Sequence, residues 1–453
     1  MLTHGPWNPA MPERAAWSEG TLSAADESRF AGYMEALAFY QGNQWRQPAR
    51  RGEPPQLVFN YARALIRKTA SYVFPGPVGF SVLPEGTTHE AANRAERRLT
   101  ELRDGLDLTR LDLSLTIDSA VLGDGAMKVT WDDDAASPRV VAVDPGTLVV
   151  RRAPDDPQAI EDVTQGYALT GSQVARMFPR SGLGDLDAGR RYSVIEQWTP
   201  HRWRVLVAGQ PVHDLPNPYG WIPYLVVAND PRPLSFWGTS DLVDLLDVCR
   251  ELNRRMTVMA HVLELSGAPI AVLENVDGSE GIRVGPGAKW ELPEGSRAYL
   301  LDLLQGGGAE THLRYIDVLF RMLHDLSETP RTAFGDSGRD LSGAALEVEI
   351  QPLVQKVGRK RRMWDGVFMR RNAMLLDLLE RFGGEDFQGL RRTTTLWPPV
   401  LPSDTDSAVR NAVSLVGSGI QSRRSAMTTL GEPDPDAELA RIREEAAGHT
   451  EQA

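Results

Sequence analysis

The residues that could do chemistry are few and scattered: Gly123-Asp124-Gly125, Asp132-Asp133-Asp134, eight histidines, one cysteine, and a basic run beginning at Lys356. A Gly-x-Gly pair can cradle phosphate on its backbone N–H groups. The dinucleotide fingerprint, however, runs from strand to helix, and here a helical pattern precedes and a strand pattern follows, so the pair reads as a tight turn. Three consecutive acids on a hairpin tip do not converge on one ion, and no calcium-loop spacing follows them, so they read as solvated loop. No histidines share a helix at ligand spacing, and a lone Cys249 excludes an internal disulfide and a multi-thiolate metal site. The sequence contains no Gly-Lys pair, hence no phosphate-binding loop of a motor ATPase, and no His-Glu-x-x-His or Gly-x-Ser-x-Gly. A nuclease built from dispersed carboxylates would leave no local spacing, and nothing points to one. The expectation is no enzyme, no catalytic residue, no metal and no cofactor.

Charge is more informative. The formal net charge is −12, which argues against coating nucleic acid by phosphate neutralisation. It is compatible with a wall past which a polyanion slides, because acidic side chains repel phosphates. Asp241, Asp244, Asp247 and Glu251 form one such acidic stripe along a helix. The dense basic patch is Lys356, Arg359, Lys360, Arg361 and Arg362, followed by Arg370 and Arg371. It could face DNA, pair with the acidic stripe of a neighbouring subunit, or be a solvated helix face. These cations fall on several sides of a helix, so they cannot all meet one partner.

Three helices carry these charges. The first starts at Thr239 or Ser240 and ends at Ser266-Gly267, with Leu242, Leu245, Cys249, Leu252, Met256, Met259 and Leu263 spaced by three and four. A second runs from about Ala309 to Ser327, with Leu313, Ile316, Phe320, Leu323 and Leu326 on one face. Between them, β-branched runs at 269–273 and 289–292 alternate with Gly/Pro turns. After an irregular stretch, Thr329–Leu341, Ser342 caps a third helix that runs to Phe382 and is kinked at Pro352.

Upstream, the pattern gives an extended arm over 1–28 and helices at 26–40, 60–73, 91–105 and 108–122. Strands follow at 126–131, around an Asp144-Pro145-Gly146 turn, in a hairpin of 192–198 with 203–207, and at 224–227. Tryptophans 198, 203, 221 and 237 lack a basic groove and read as core and interface packing. Downstream, 393–402 reads as an extended linker and 403–447 as a broken helical tail. No apolar run is long enough to span a membrane, and no secretory signal opens the chain.

Helix, small β insert, helix, irregular loop and long kinked helix, in that order, resemble the portal proteins of tailed bacteriophages. The aromatic-Gly turn Tyr40–Trp45 ahead of Asn60-Tyr61, and the Asn217–Pro223 run leading into the first long helix, resemble that family too. The resemblance implies an α+β portal-type fold with a helical stem, a small β-rich clip, a mixed α/β wing, a long kinked helix and a helical C-terminal crown. Its parts would be arm and wing over 1–235, a stem helix over 236–266, the clip over 267–304, a second stem helix over 305–328, the tunnel loop over 329–342, the long helix and wing return over 343–402, and the crown over 403–453. It implies a dodecameric ring around a DNA channel at one capsid vertex, through which the genome is packaged and ejected. Arg331, Phe334, Gly335, Gly338 and Arg339 of the tunnel loop would touch the duplex without reading its sequence. Implied partners are the terminase large subunit, the major capsid and scaffolding proteins, and the neck or head-completion proteins; no membrane is involved. The chain would be made in the host cytoplasm and end in the virion. The alternative is another virion component, such as a minor head or head–tail joining protein, without a DNA channel.

Overall fold

The computed structural model describes residues 22–47, 55–84, 88–156, 159–179, 182–183, 186–267, 270–275, 294–301, 308–336, 343–401, 405–430 and short stretches between 432 and 443. The chain forms two compact units, one drawn from 1–37, 66–243 and 332–453, the other from 38–65 and 244–331. Two helices, α1 (Ala24–Gln41) and α2 (Tyr61–Val73), contribute residues to both.

In the first unit, α3 (His89–Gly105) is capped by Thr88, whose side chain accepts the Ala91 N–H. Its buried residues Ala91, Ala92, Ala95, Leu99 and Leu102 fall at helical spacing, so one face meets the core. Helix α4 (Leu108–Leu122) stops at Gly123, whose φ of 104° suits glycine. A Cβ there would meet Ser240 N at 3.0 Å and Gly238 O at 3.1 Å, so close backbone approach also demands glycine. The turn expected at Gly123-Asp124-Gly125 is therefore a helix C-cap feeding strand β2 (Asp124–Asp132).

Strand β2 is the centre of an antiparallel sheet between β3 (Ser137–Val143) and β9 (Tyr224–Ala228). A five-stranded antiparallel meander follows: β4 (Leu148–Arg152), β5 (Ile160–Thr170), β6 (Arg191–Trp198), β7 (Arg202–Val207) and β8 (Gln210–Pro216). Thr170 and Gln173 form a capping box that starts the short helix α5 (Gly171–Met177). Strand β1 (Gly79–Val82) pairs with β12 (Thr393–Leu396).

The spine of this unit is α8 (Gly343–Arg381), 39 residues running through Pro352 and spanning about 58 Å. Trp364 and Phe368 of α8 pack edge-on against Phe74, with Phe80 and Trp397 completing the cluster. Helices α9 (Thr405–Gly417) and α10 (Arg423–Leu430) follow.

The second unit is a helical hairpin, α6 (Leu246–Gly267) and α7 (Gly308–Leu326), joined through a two-stranded antiparallel ribbon of β10 (Ile270–Glu274) and β11 (Arg297–Leu301). Leu252 and Met259 pack with Ile316 and Leu319, and Tyr61 meets Phe320 edge-on at 5.0 Å. Every sheet among the described residues is antiparallel and the helices are segregated from it, so the class is α+β.

Several expectations shift. Helix α6 starts at Leu246, not at Thr239 or Ser240. The preceding residues are tied down instead: the Ser240 hydroxyl donates to Val121 O at 2.5 Å, and Asp241 N–H donates to Ala120 O at 2.9 Å. The second strand between the two helices lies at Arg297–Leu301, and the run at 289–292 falls outside the described residues. Strands β3 and β4 flank the Asp144 turn but belong to different sheets. The expected linker contains β12, and β5, β8 and α5 have no counterpart in the sequence pattern.

Candidate channel and interface residues

Of the four acids in the expected stripe, Asp241 does not belong on a wall. Its side chain is 9% exposed and sits between two lysines of α8, with Lys356 Nζ at 3.1 Å and Lys360 Nζ at 3.0 Å. Asn229, at the end of β9, donates from Nδ2 to the same carboxylate at 2.6 Å, and Lys360 donates back to the Asn229 side-chain oxygen. Burial alone would raise the Asp241 pKa; the paired ammonium groups reverse that and hold it well below the usual carboxylate range. Lys360 is pushed down by its burial, with Lys356 adding to the shift and Asp241 opposing it. The cluster ties α8 to the segment leading out of β9.

The remaining acids lie in the other unit. Asp244 is exposed, Asp247 is exposed with Arg250 at 3.3 Å and Arg46 at 3.6 Å, and Glu251 pairs with Arg255 at 2.6 Å. Two of the three thus carry a local countercharge.

The basic run likewise divides by register. Lys356 and Lys360, one turn apart, face Asp241 of the same chain rather than DNA, a neighbour's acids or solvent. Arg361 is buried too: it donates to Val73 O at 3.1 Å and Pro398 O at 2.8 Å, with its guanidinium 4.8 Å from the Trp397 ring centre. Arg371 is fully buried against Asp112 at 2.5 Å. Only Arg359 and Arg362 of the five candidates are exposed.

The described part of the expected tunnel loop is docked rather than pendant. Thr329 is fully buried, and its carbonyl oxygen lies 2.7 Å from His324 Nδ1. A 3-10 turn, Arg331–Phe334, follows and sinks Ala333 into the core of the first unit. Phe334 is 40% exposed, and the ammonium of Lys68 on α2 lies 5.3 Å from its ring centre. Gly335, at φ 87°, turns the chain where a side chain would be strained. Gly338 and Arg339 lie outside the described residues. Lys68 is a cation beside the loop that no local pattern marks, because its neighbour is remote in the chain.

The tryptophans pack as expected, and more regularly. His213, Trp203, Trp198, Tyr219 and Trp221 form one continuous stack with ring centres 5.0–5.8 Å apart. Buried Glu196 organises it, accepting from Lys128 at 2.6 Å, Trp198 Nε1 at 2.7 Å and Trp203 Nε1 at 3.1 Å. Asp132 ends β2, and Asp133 and Asp134 are exposed in the turn that follows, where Asp132 Oδ1 accepts the N–H of Asp134 and of Ala135. Among the described residues, no group of three or more potential ligands could hold a metal ion, and no helix is long and apolar enough to cross a membrane.

The α6–α7 hairpin carries two apolar faces. Ile316, Leu319 and Leu323 of α7 are buried, whereas Tyr315, Val318, Met322 and Leu326, also at helical spacing, are exposed. Val258 and Leu263 of α6 are exposed as well.

The family of phage portal proteins of the SPP1 Gp6-like type matches residues 20–452. The chain belongs to that family. No curated protein is similar enough to this chain to match it. As a portal protein it is a structural, non-enzymatic component of the phage virion. Portal membership implies an oligomeric ring at the capsid vertex, in contact with capsid and terminase. This portal protein departs from its sequence-based expectation chiefly in charges, which it uses largely to hold its own helices together.

Proposed function

We propose that this portal protein assembles as a dodecameric ring whose central channel passes the phage genome into the capsid during packaging and out again during ejection. The observation that carries the reading, beside family membership, is the second apolar face of α7. A helix apolar on two sides is not the surface helix of a monomer. Burying a leucine, valine or methionine is worth about 1.5–3 kcal/mol, so the stripe Tyr315–Val318–Met322–Leu326 supplies a neighbour with an ample contact.

In the ring, Asp244, Asp247 and Glu251 contribute to a wall that repels phosphates, tempered by Arg250 and Arg255. Arg359 and Arg362 meet the neighbouring subunit. Arg331, Phe334, Gly335, Gly338 and Arg339 form a collar around the duplex, with Lys68 beside it. The terminase large subunit docks first and the neck proteins later, while the major capsid and scaffolding proteins hold the rim.

Negative-stain imaging with mass photometry of the purified chain checks this reading. Rings with a central hole and a mass of about twelve subunits are expected. Monomer alone, under conditions that keep the helices and in assembled heads as well, would exclude it.

A further inference from the structure

We infer that Leu234 is an anchor that inserts into an apolar ledge on a second copy of this chain. The inference rests on the ring reading above, and the observation behind it is independent of the hairpin. Leu234 is entirely exposed and sits at φ 58°, the left-handed region that a branched side chain avoids. It is the third residue of a turn in which Ser235 N–H donates to Arg232 O at 3.2 Å, with Pro233 preceding it. Glycine or asparagine is the usual occupant of such a position. The sequence thus accepts two local penalties at one residue, a strained backbone and an apolar side chain in water.

The strain is not that of a loose loop. Pro231 bridges to Gly238, and Thr239 N–H donates to Asp230 O at 2.9 Å. Gly238 N–H donates to buried Asp124 at 2.8 Å, and the other carboxylate oxygen of Asp124 accepts the Tyr33 hydroxyl at 2.5 Å. A Cβ on Gly238 would lie 2.5 Å from Gly123 O, so the base of the loop has no room to shift. Ser235 and Trp237 hydrogen-bond to each other, and the Arg29 guanidinium lies 3.7 Å from the Trp237 ring centre. A rigid base that forces an unfavourable conformation at its tip is the arrangement found at binding loops.

The occupant opposite must be apolar, because a duplex sliding past gains nothing from a leucine. The same unit offers a suitable surface: Phe382 is 40% exposed, stacks on Trp131 at 5.7 Å and is met edge-on by Tyr219 at 5.9 Å. A knob and a ledge on one chain are what a head-to-tail contact between identical subunits requires.

The test compares wild type, Leu234→Gly, Leu234→Asn and Leu234→Met across a dilution series by mass photometry, with thermal unfolding of the dissociated subunit alongside. Glycine and asparagine fit the left-handed backbone, so the subunits unfold at the wild-type temperature or above, yet assemble at least tenfold more weakly. Methionine keeps the apolar bulk and largely restores assembly. Wild-type rings together with unimpaired glycine and asparagine variants overturn this inference alone, as does a glycine variant that assembles normally but loses incorporation into heads. A wild-type chain that stays monomeric throughout, heads included, overturns the ring reading and this inference together.

Discussion

Asp241 shows how little a residue's type says about its task. An aspartate followed by three further acids at helical spacing resembles one rung of an exposed ladder, yet it is ion-paired to two lysines of α8. Asp241→Asn leaves Lys356 and Lys360 close together without their anion, and removing one member of a buried pair typically costs about 3–5 kcal/mol. Thermal unfolding should show that loss, and replacing Lys360 by Met in the same chain should recover part of it. A second residue-scale effect concerns Asp118 on α4, whose carboxyl burial, with the nearby Asp144 carboxylate, pushes up to about 6. The unfolded carboxyl releases its proton at about pH 4. Between those values the folded chain binds the extra proton, so stability falls as pH rises towards 6 and stays lower above it. Asp118→Asn should therefore stabilise the protein at pH 7.5 by about 1–2 kcal/mol, the partial exposure of the site discounting the full shift, and give no gain at pH 4. Melting curves at the two pH values check this. The sequence could not sort these charges. The partner that turns Lys360 inward lies 119 residues away, and no local pattern carries that distance.

At the scale of elements, what could be read was what repeats. The limits of α3, α4 and α8 follow from apolar spacing and caps, and each lands within a few residues, whereas α6 starts later than expected and Leu263 of its expected seam is exposed. Strand β8 (Gln-Pro-Val-His-Asp-Leu-Pro) does not alternate, because it is the outermost strand of its sheet and mostly exposed, so the signal that marks a half-buried strand is missing. Strand β12 is mostly threonine between arginines and prolines, and only its pairing with β1 makes it a strand. The irregular stretch after α7 is visible in the sequence, but its docking through Ala333 and the Lys68–Phe334 contact depends on tertiary neighbours. For function, Arg331→Ala with Phe334→Ala should leave assembly intact, since Ala333 still seats the turn, but reduce DNA filling or retention in heads. Packaged DNA per head, measured after nuclease treatment, decides it. Full heads at the normal rate would make this segment a connector.

At the scale of the whole molecule, the first unit is discontinuous. Its core joins Val73 and Leu99 to Trp364 and Leu379, and its buried pairs link Asp112 to Arg371 and Val73 to Arg361. The stretch 332–400 is required to close it, since the core takes residues as late as Leu390, with Trp397 and Val400 packed against it. That has a consequence for biosynthesis. At about 5–20 residues per second, a ribosome takes roughly 3–14 s to supply that stretch, during which Leu99, Leu115 and Val129 lack the α8 residues of their shared core. The helical hairpin, 244–331, emerges earlier and is nearly complete by then. A chain truncated before α8 would carry the helical hairpin beside an unclosed first unit, a state open to aggregation and proteolysis. Completion of synthesis thus acts as a checkpoint: only a chain translated well into α8 has the core that lets it persist as a subunit.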